Sequence, residues 1–310
     1  MKKLLHIALG NHNVALWKAF DNNFITKHYN WLPKRSNIQN VNSDIIQVVN
    51  NFKPDVVFMQ IQNDGIIYPQ TARIMSKNAF VINWTGDVRH PLPNWFIELG
   101  KLIDVTLFSN MDDVRISRQK GINSDYLQVG FDKNIFTPHG KSIKVPNTVF
   151  MGSNYINQFD FPLSDFRFQM IDKLTKVFKD DFQCYGGNWN NLFPNAKMVD
   201  NKLESTIYRS TKIAINLSHF NYSRYSSDRI LRIMGSGAFC LSHNYKDISS
   251  DFIIGKHLET WSTFEELIHK INYFKVNTFE RMKIASEGCK FVRDNCTWEN
   301  RMQELKKIIL

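Results

Sequence analysis

No apolar run in this 310-residue chain approaches the roughly 20 residues that a membrane-spanning helix needs, and stretches such as Val56–Met59 meet polar residues within a few positions. A soluble, cytoplasmic protein is expected. A secretory leader is not expected: Met1-Lys2-Lys3-Leu4-Leu5 could open one, but His6 and then Gly10-Asn11-His12-Asn13 interrupt it too early. The four cysteines (Cys184, Cys240, Cys289 and Cys296) form no C-x-x-C pair and lack ligand-like His spacing, which favours free thiols over zinc or disulfides. Gly10–Asn13 does not complete a G-x-G-x-x-G run. The acidic pairs Asp112-Asp113 and Asp180-Asp181 are adjacent rather than spaced by one, so helix capping and solvation explain them better than a metal-binding D-x-D. With 9 Pro, 14 Gly, 43% hydrophobic and 22% charged residues, disordered, collagen-like and repeat architectures are excluded.

What is there is a globular chain about twice the length of a typical ~150-residue domain, so two domains are expected. Charge is its one unusual total: 39 Lys and Arg against 29 Asp and Glu leave +10, which favours a polyanionic substrate or partner. The excess is spread along the chain, with +4 before residue 140 and +6 after it. A scattered, solvated surface is the competing reading.

Short apolar runs alternate with amphipathic stretches, the pattern of parallel sheets wrapped by helices. In the first half, strands are expected at Leu4–Leu9, Asp55–Ile61, Phe80–Trp84, Val105–Phe108 and Tyr126–Val129. Helices are expected near Val14–Asp21, at Ser43–Phe52 capped by Ser43 or Asp44, and at Pro69–Lys77 and Met111–Lys120. TPHGKSIKVPN (137–147), with two prolines, a glycine and no periodicity, reads as a linker. The division is therefore 1–138, a linker at 139–147, and 148–310, with the last helix a candidate to pack back on the first domain. The second half repeats the alternation, with strands at Thr148–Met151, Phe182–Tyr185, Ile213–Leu217 and Ala238–Ser242. Its helices are expected at Phe166–Phe178, Leu203–Arg209, Ser227–Met234, Thr263–Phe274, Thr278–Asp294 and Trp298–Ile309. The fold class is α/β, two Rossmann-like domains facing a cleft, with ligands beyond the carboxyl ends of the strands.

Several segments, in order, resemble the GT-B glycosyltransferases, most closely the CgeB-type spore-maturation branch of the retaining group-1 enzymes. They are TVFMGS (148–153), FQCYGGNW (182–189), IYRSTKIAINLS (207–218), SSDRILRIMGSGAFCLS (226–242), FIIGKHLETWSTFEELIHKINYF (252–274) and CTWENRMQELKKII (296–309). PDVVFMQ (54–60), WTGDVR (84–89) and VGFDKNIFTP (129–138) occupy the expected places in the first half. The resemblance implies transfer of a sugar from a nucleotide-diphosphate donor, a UDP-sugar favoured, to an acceptor hydroxyl. It also implies retention of configuration, with no metal or other cofactor required.

That chemistry needs the pyrophosphate held by backbone N–H groups and cations, because charge grows on the leaving phosphate. Gly152, Ser153 and Asn154 are candidates for an amide cradle, and Arg229, at a helix start, for the forked cation; pairing of Arg229 with Asp228 is the alternative. Tyr185 and Gly186 would bring backbone close to the donor. The family helix usually carries Glu three residues after the Arg, for ribose hydroxyls. Here Arg232 stands there, and it can donate but not accept. In the first half, Asp87 and His90 follow a buried strand and are candidates to orient or deprotonate the acceptor, while Gly10 and Asn13 form a polar turn that could meet donor sugar or phosphate. The acceptor is open between a bacterial glycan or protein and a hydroxymethylated DNA base of phage type. A non-catalytic binding protein of the same shape, for nucleotide-sugar or nucleic acid, is the competing class.

Overall fold

The structure is a computed structural model that describes residues 1–10, 14–156 and 158–309. Met1–Gly130 and Trp298–Leu310 form one compact unit, and Phe131–Thr297 a second.

The first unit runs β1 (Lys3–Ala8), α1 (Val14–Asn23), β2 (Ile25–Asn30), α2 (Ile38–Phe52), β3 (Val56–Met59), α3 (Pro69–Asn78), β4 (Phe80–Thr85), α4 (Asn94–Gly100), β5 (Val105–Phe108), α5 (Met111–Gln119) and β6 (Ser124–Tyr126). Its six strands lie in the order β2-β1-β3-β4-β5-β6, all parallel. Four of them are apolar because helices cover both faces; Leu5, Ile7, Val57, Met59 and Val81 are fully buried, each contributing about 1.5–3 kcal/mol over exposure. Helix α2 starts at Ile38 rather than Ser43, because the Asn37 side chain accepts from Asn40 N (3.1 Å). Val41, Ile45 and Val49, spaced by four, turn to the core. The helix stops at Lys53, whose φ of 51° breaks the spiral ahead of Pro54. Two elements had no sequence expectation: β2, an edge strand of ITKHYN, and the seven-residue α4.

The second unit runs β7 (Thr148–Met151), α6 (Ser164–Phe178), β8 (Phe182–Tyr185), α7 (Asn201–Ser210), β9 (Ile213–Asn216), α8 (Asp228–Gly235), β10 (Phe239–His243), β11 (Glu259–Trp261), α9 (Phe264–Val276) and α10 (Thr278–Asn295). Its parallel sheet has the order β11-β10-β9-β7-β8. The segment expected as a linker is held within this unit. Arg209 Nη1 donates to Thr137 O (2.7 Å), Ile143 N to Ser210 Oγ (3.0 Å), and Thr211 Oγ1 to Pro146 O (3.0 Å). The boundary expected after residue 138 thus falls after residue 130. The last helix, α11 (Trp298–Ile308), clusters with the first unit.

The acidic pairs have structural roles. Asn110 accepts from Asp113 N (2.7 Å) at the start of α5, and the buried Asp113 carboxylate accepts from Arg89 N (2.9 Å). Asp181 pairs with Lys275 and Asn147. The four cysteines are free and buried. Among the described residues, no helix is long and apolar enough to cross a membrane.

Candidate functional site

In the second unit the chain passes from β7 to β8 on one side and later places β9 on the other side of β7. The crevice beyond the carboxyl ends of β7 and β9 is therefore the topological switch point, where open parallel sheets take ligands. Most second-unit residues singled out in the sequence lie at the loops bordering it.

The loops after β7 and β8 are zipped together. Gly152 N donates to Tyr185 O (2.8 Å), Asn154 N to Gly187 O (2.9 Å), Gly186 N to Lys197 O (2.9 Å) and Trp189 Nε1 to Gly152 O (2.6 Å). Only glycine fits at 186: its φ is +137°, and a Cβ there would lie 2.4 Å from Gly152 O. This corrects the expected amide cradle. The N–H groups of Gly152 and Asn154 are spent on the neighbouring loop, and the Asn154 side chain donates to Asn188 O (3.3 Å). Of the three amides, that of Ser153 is the one without a partner among the described residues. Tyr185 is buried, which pushes its phenol up, and it serves the site through its backbone carbonyl.

Arg229 lies in the first turn of α8, half-buried at the switch point. Its Nη1 donates to Leu217 O (3.0 Å) and Asn216 Oδ1 (3.4 Å), and its guanidinium stacks on Phe150 at 5.3 Å. Gly152 makes room for it: a Cβ at 152 would come within 2.8 Å of Nη2. Asp228 does not pair with Arg229 but with Arg232 (2.5 Å), and no carboxylate lies within ion-pair distance of Arg229 among the described residues. The α8 N-terminus has no side-chain cap, and the Ser227 hydroxyl there is buried without a partner among the described residues. Unspent helix N–H groups and an uncompensated guanidinium make an anion-attracting corner.

Arg232 is differently placed. Its guanidinium is divided between Asp228 and Glu204 (3.0 Å) and packs on Phe136 at 5.1 Å, so its fork is committed to side chains of its own unit. Burial pushes the Glu204 carboxyl up against the pull of Arg232. This changes the expectation that Arg232 handles the donor.

Sequence reasoning missed Arg167. Buried to 2% exposure on α6, its Nη1 donates to Ser153 O (3.2 Å) and His219 Nε2 (2.6 Å), and its Nη2 to Leu217 O (2.6 Å). It stacks on the same Phe150 ring at 5.4 Å. Burial, then the two guanidinium groups, hold His219 down at about 2, so its imidazole is neutral.

In the first unit, Asp87 and His90 are exposed on the loop after β4, which Thr85 shapes by accepting from Asp87 N (3.2 Å). The neighbouring Arg89 is largely buried against Phe96 (5.6 Å) and donates to Gln62 O (3.3 Å). Gly10 is buried just past β1, on one side of this sheet's own switch point between β1 and β3. Asn13 lies outside the described residues. Among the described residues no three or more His, Cys, Asp or Glu side chains gather as a metal cluster.

Residues 167–307 match the family model described as "Glycosyl transferase-like". The chain is similar to a solved glycosyltransferase from Rickettsia africae ESF-5, at 12% identity over 99% of this chain and 97% of that one, with a TM-score of 0.66. It is similar to Anabaena Alr3699/HepE in complex with UDP-glucose, at 9% identity over 100% and 99% (TM-score 0.68). Sucrose-phosphate synthase from Thermosynechococcus elongatus aligns at 8% identity over 99% and 98% (TM-score 0.67). No curated protein matches the sequence. The two parallel α/β units have the GT-B fold seen in these structures, and residues 167–307 carry the similarity to the glycosyl transferase-like family.

Proposed function

We propose that this protein transfers a sugar from a UDP-sugar, with retention of configuration and without a metal, as the CgeB-type resemblance implies, and that the acceptor is a hydroxyl of a bacterial glycan or protein. The observation that carries this reading is Arg229: a half-buried guanidinium without a carboxylate, beside an uncapped helix N-terminus at the β7/β9 switch point. A leaving UDP needs its growing negative charge met there, and the Ser153 amide adds a donor from the facing loop. The complex of the similar HepE structure with UDP-glucose supports uridine as the nucleoside of the donor.

On the first unit, Asp87 is the group we assign to the acceptor: an exposed carboxylate at the carboxyl end of a buried strand can accept a hydrogen bond from the acceptor hydroxyl and so orient its oxygen. His90 is its neighbour on the same loop and Gly10 belongs to the donor-side turn after β1. In a front-face reaction the leaving phosphate takes the acceptor proton, so no protein nucleophile is required. Carbohydrate chemistry in the names of the similar structures favours a glycan acceptor over a DNA base.

The test is release of UDP, GDP or ADP from a panel of nucleotide sugars, with and without bacterial glycan acceptors. Turnover of one UDP-sugar that persists in EDTA is expected. Absence of both turnover and UDP binding would favour the non-catalytic class.

A further inference from the structure

We propose that Arg167 is a positioning residue of the donor site: its buried guanidinium ties the β7 loop to the β9 loop and to the His219 ring, and so presents Arg229 and the Ser153 amide in one fixed arrangement. The inference rests on the diphosphate reading of Arg229 above.

The geometry carries it. Arg167 reaches Ser153 O on one loop and Leu217 O on the other, and Leu217 O also accepts from Arg229 Nη1. The amide expected to face phosphate and the guanidinium expected to hold it are thus both set through one buried side chain. A guanidinium carries only donors, so His219 Nε2, 2.6 Å from Arg167 Nη1, must accept. The His219 proton is therefore on Nδ1, directed at Ser164 Oγ (3.3 Å) in the first turn of α6. Leu163 N donates to His219 O (3.0 Å), so the start of α6 and the β9 loop are joined by backbone as well.

Protonating His219 would break the contact with Arg167 and add a third positive charge. The groups facing its ring are Ser164 and Arg167 from α6, Tyr155 (5.2 Å between ring centroids) and Phe161 (5.1 Å) from the β7 loop, and the charge of Arg229 from α8. None is a carboxylate. Among the described residues no carboxylate is in ion-pair contact with either guanidinium, Glu204 acting on Arg229 only at longer range, and an anionic ligand is the natural group to make that contact. Arg167 itself is too buried to meet that ligand; it acts through what it holds.

The test uses the full chain, with UDP as the probe in calorimetry and 15N-imidazole spectra of His219. Arg167→Lys keeps the charge but cannot bridge two carbonyls and a ring. It is expected to fold, by circular dichroism, and to weaken UDP binding roughly tenfold. Arg167→Gln removes one of the two guanidinium charges that hold His219 down while leaving its burial, so the His219 midpoint should rise and any gain of UDP affinity with falling pH should begin at higher pH than in the unaltered protein; a role in stability alone would not move it. Unchanged UDP affinity in folded Arg167→Lys, with Arg229→Ala weakened, overturns this inference alone. Unchanged affinity in Arg229→Ala overturns the underlying diphosphate reading instead. Should the Arg167 variants not fold, the 15N-imidazole spectrum of His219 in the unaltered protein decides: a ring with its proton on Nδ1 and an accepting Nε2 supports the assignment, and a proton on Nε2 overturns it.

Discussion

The two sheets share a plan and differ in the charge they carry beyond it. Each is parallel, each has a switch point, and each leads its polar residues to the carboxyl edge. At the second unit's edge, Arg167 and Arg229 share one phenylalanine ring, and among the described residues neither is in ion-pair contact with a carboxylate, Glu204 acting on Arg229 only at longer range. At the first unit's edge the buried Arg89 has its charge met by Asp87 and Asp113, and Asp87 stays exposed. One edge has cationic charge to spare, suited to an anion; the other is balanced and shows a carboxylate, suited to a hydroxyl. Topology locates such sites, and the uncompensated charge says what each can take.

The contrast can be broken by experiment. Arg229→Ala, which removes the spare charge, is expected to lower kcat/KM for the donor by about 10³-fold, roughly 4 kcal/mol, and to weaken UDP binding in step. Asp87→Asn should lower kcat by about 10²-fold while UDP affinity stays within twofold. Steady-state kinetics paired with calorimetry separates the two, and the opposite pattern exchanges the roles of the units. Gly186→Val places a side chain against the Gly152 carbonyl in a left-handed backbone, and should cost about 2 kcal/mol in thermal stability together with UDP affinity.

The smallest effect sharpens the comparison by pH. His6 on β1, bonded to His28 (2.9 Å) and Gln60 (2.9 Å), is lowered by burial to about 3, and His219 is lowered to about 2. Both imidazoles are neutral when folded and charge near pH 6.5 when unfolded. The stability they represent is therefore complete above pH 6.5 and declines as pH falls toward about 3 and about 2 respectively. UDP, by bringing negative charge beside Arg229, should raise the His219 midpoint by about one unit, ~1.4 kcal/mol, and leave His6 unmoved. Equal movement of the two, followed by NMR, would mean that UDP acts elsewhere.

The strands were the most legible part of the chain. Thr148–Met151, Phe182–Tyr185 and Val105–Phe108 are read residue for residue, because a strand buried on both faces is a bare apolar run. β2 escaped because an edge strand may stay half polar, and its ITKHYN has no such run. The start of α2 was hidden by Gln39, Asn40 and Asn42, whose side chains belie a helix that Asn37 caps. At the site, the glycines and Arg229 stood out by type and position, but the spending of the Gly152 and Asn154 amides did not, since it depends on a loop more than thirty residues away. Arg167 was invisible for the same reason: Ser153, Leu217 and His219 meet it only in space.

The first unit is closed by α11. Trp298 sets its ring edge-on to Trp84 at 5.6 Å, Arg301 Nε donates to Val129 O (3.1 Å), and Glu299 accepts from Asn22 and Asn23 (2.7 and 2.8 Å). On the ribosome, the residues up to 130 emerge first, yet at roughly 5–20 residues per second they wait on the order of ten seconds or more while the whole second unit is synthesised. Nascent molecules therefore pass through a stage in which the unit made later can mature before the one made earlier, with the face that α11 covers left open until that helix has been made.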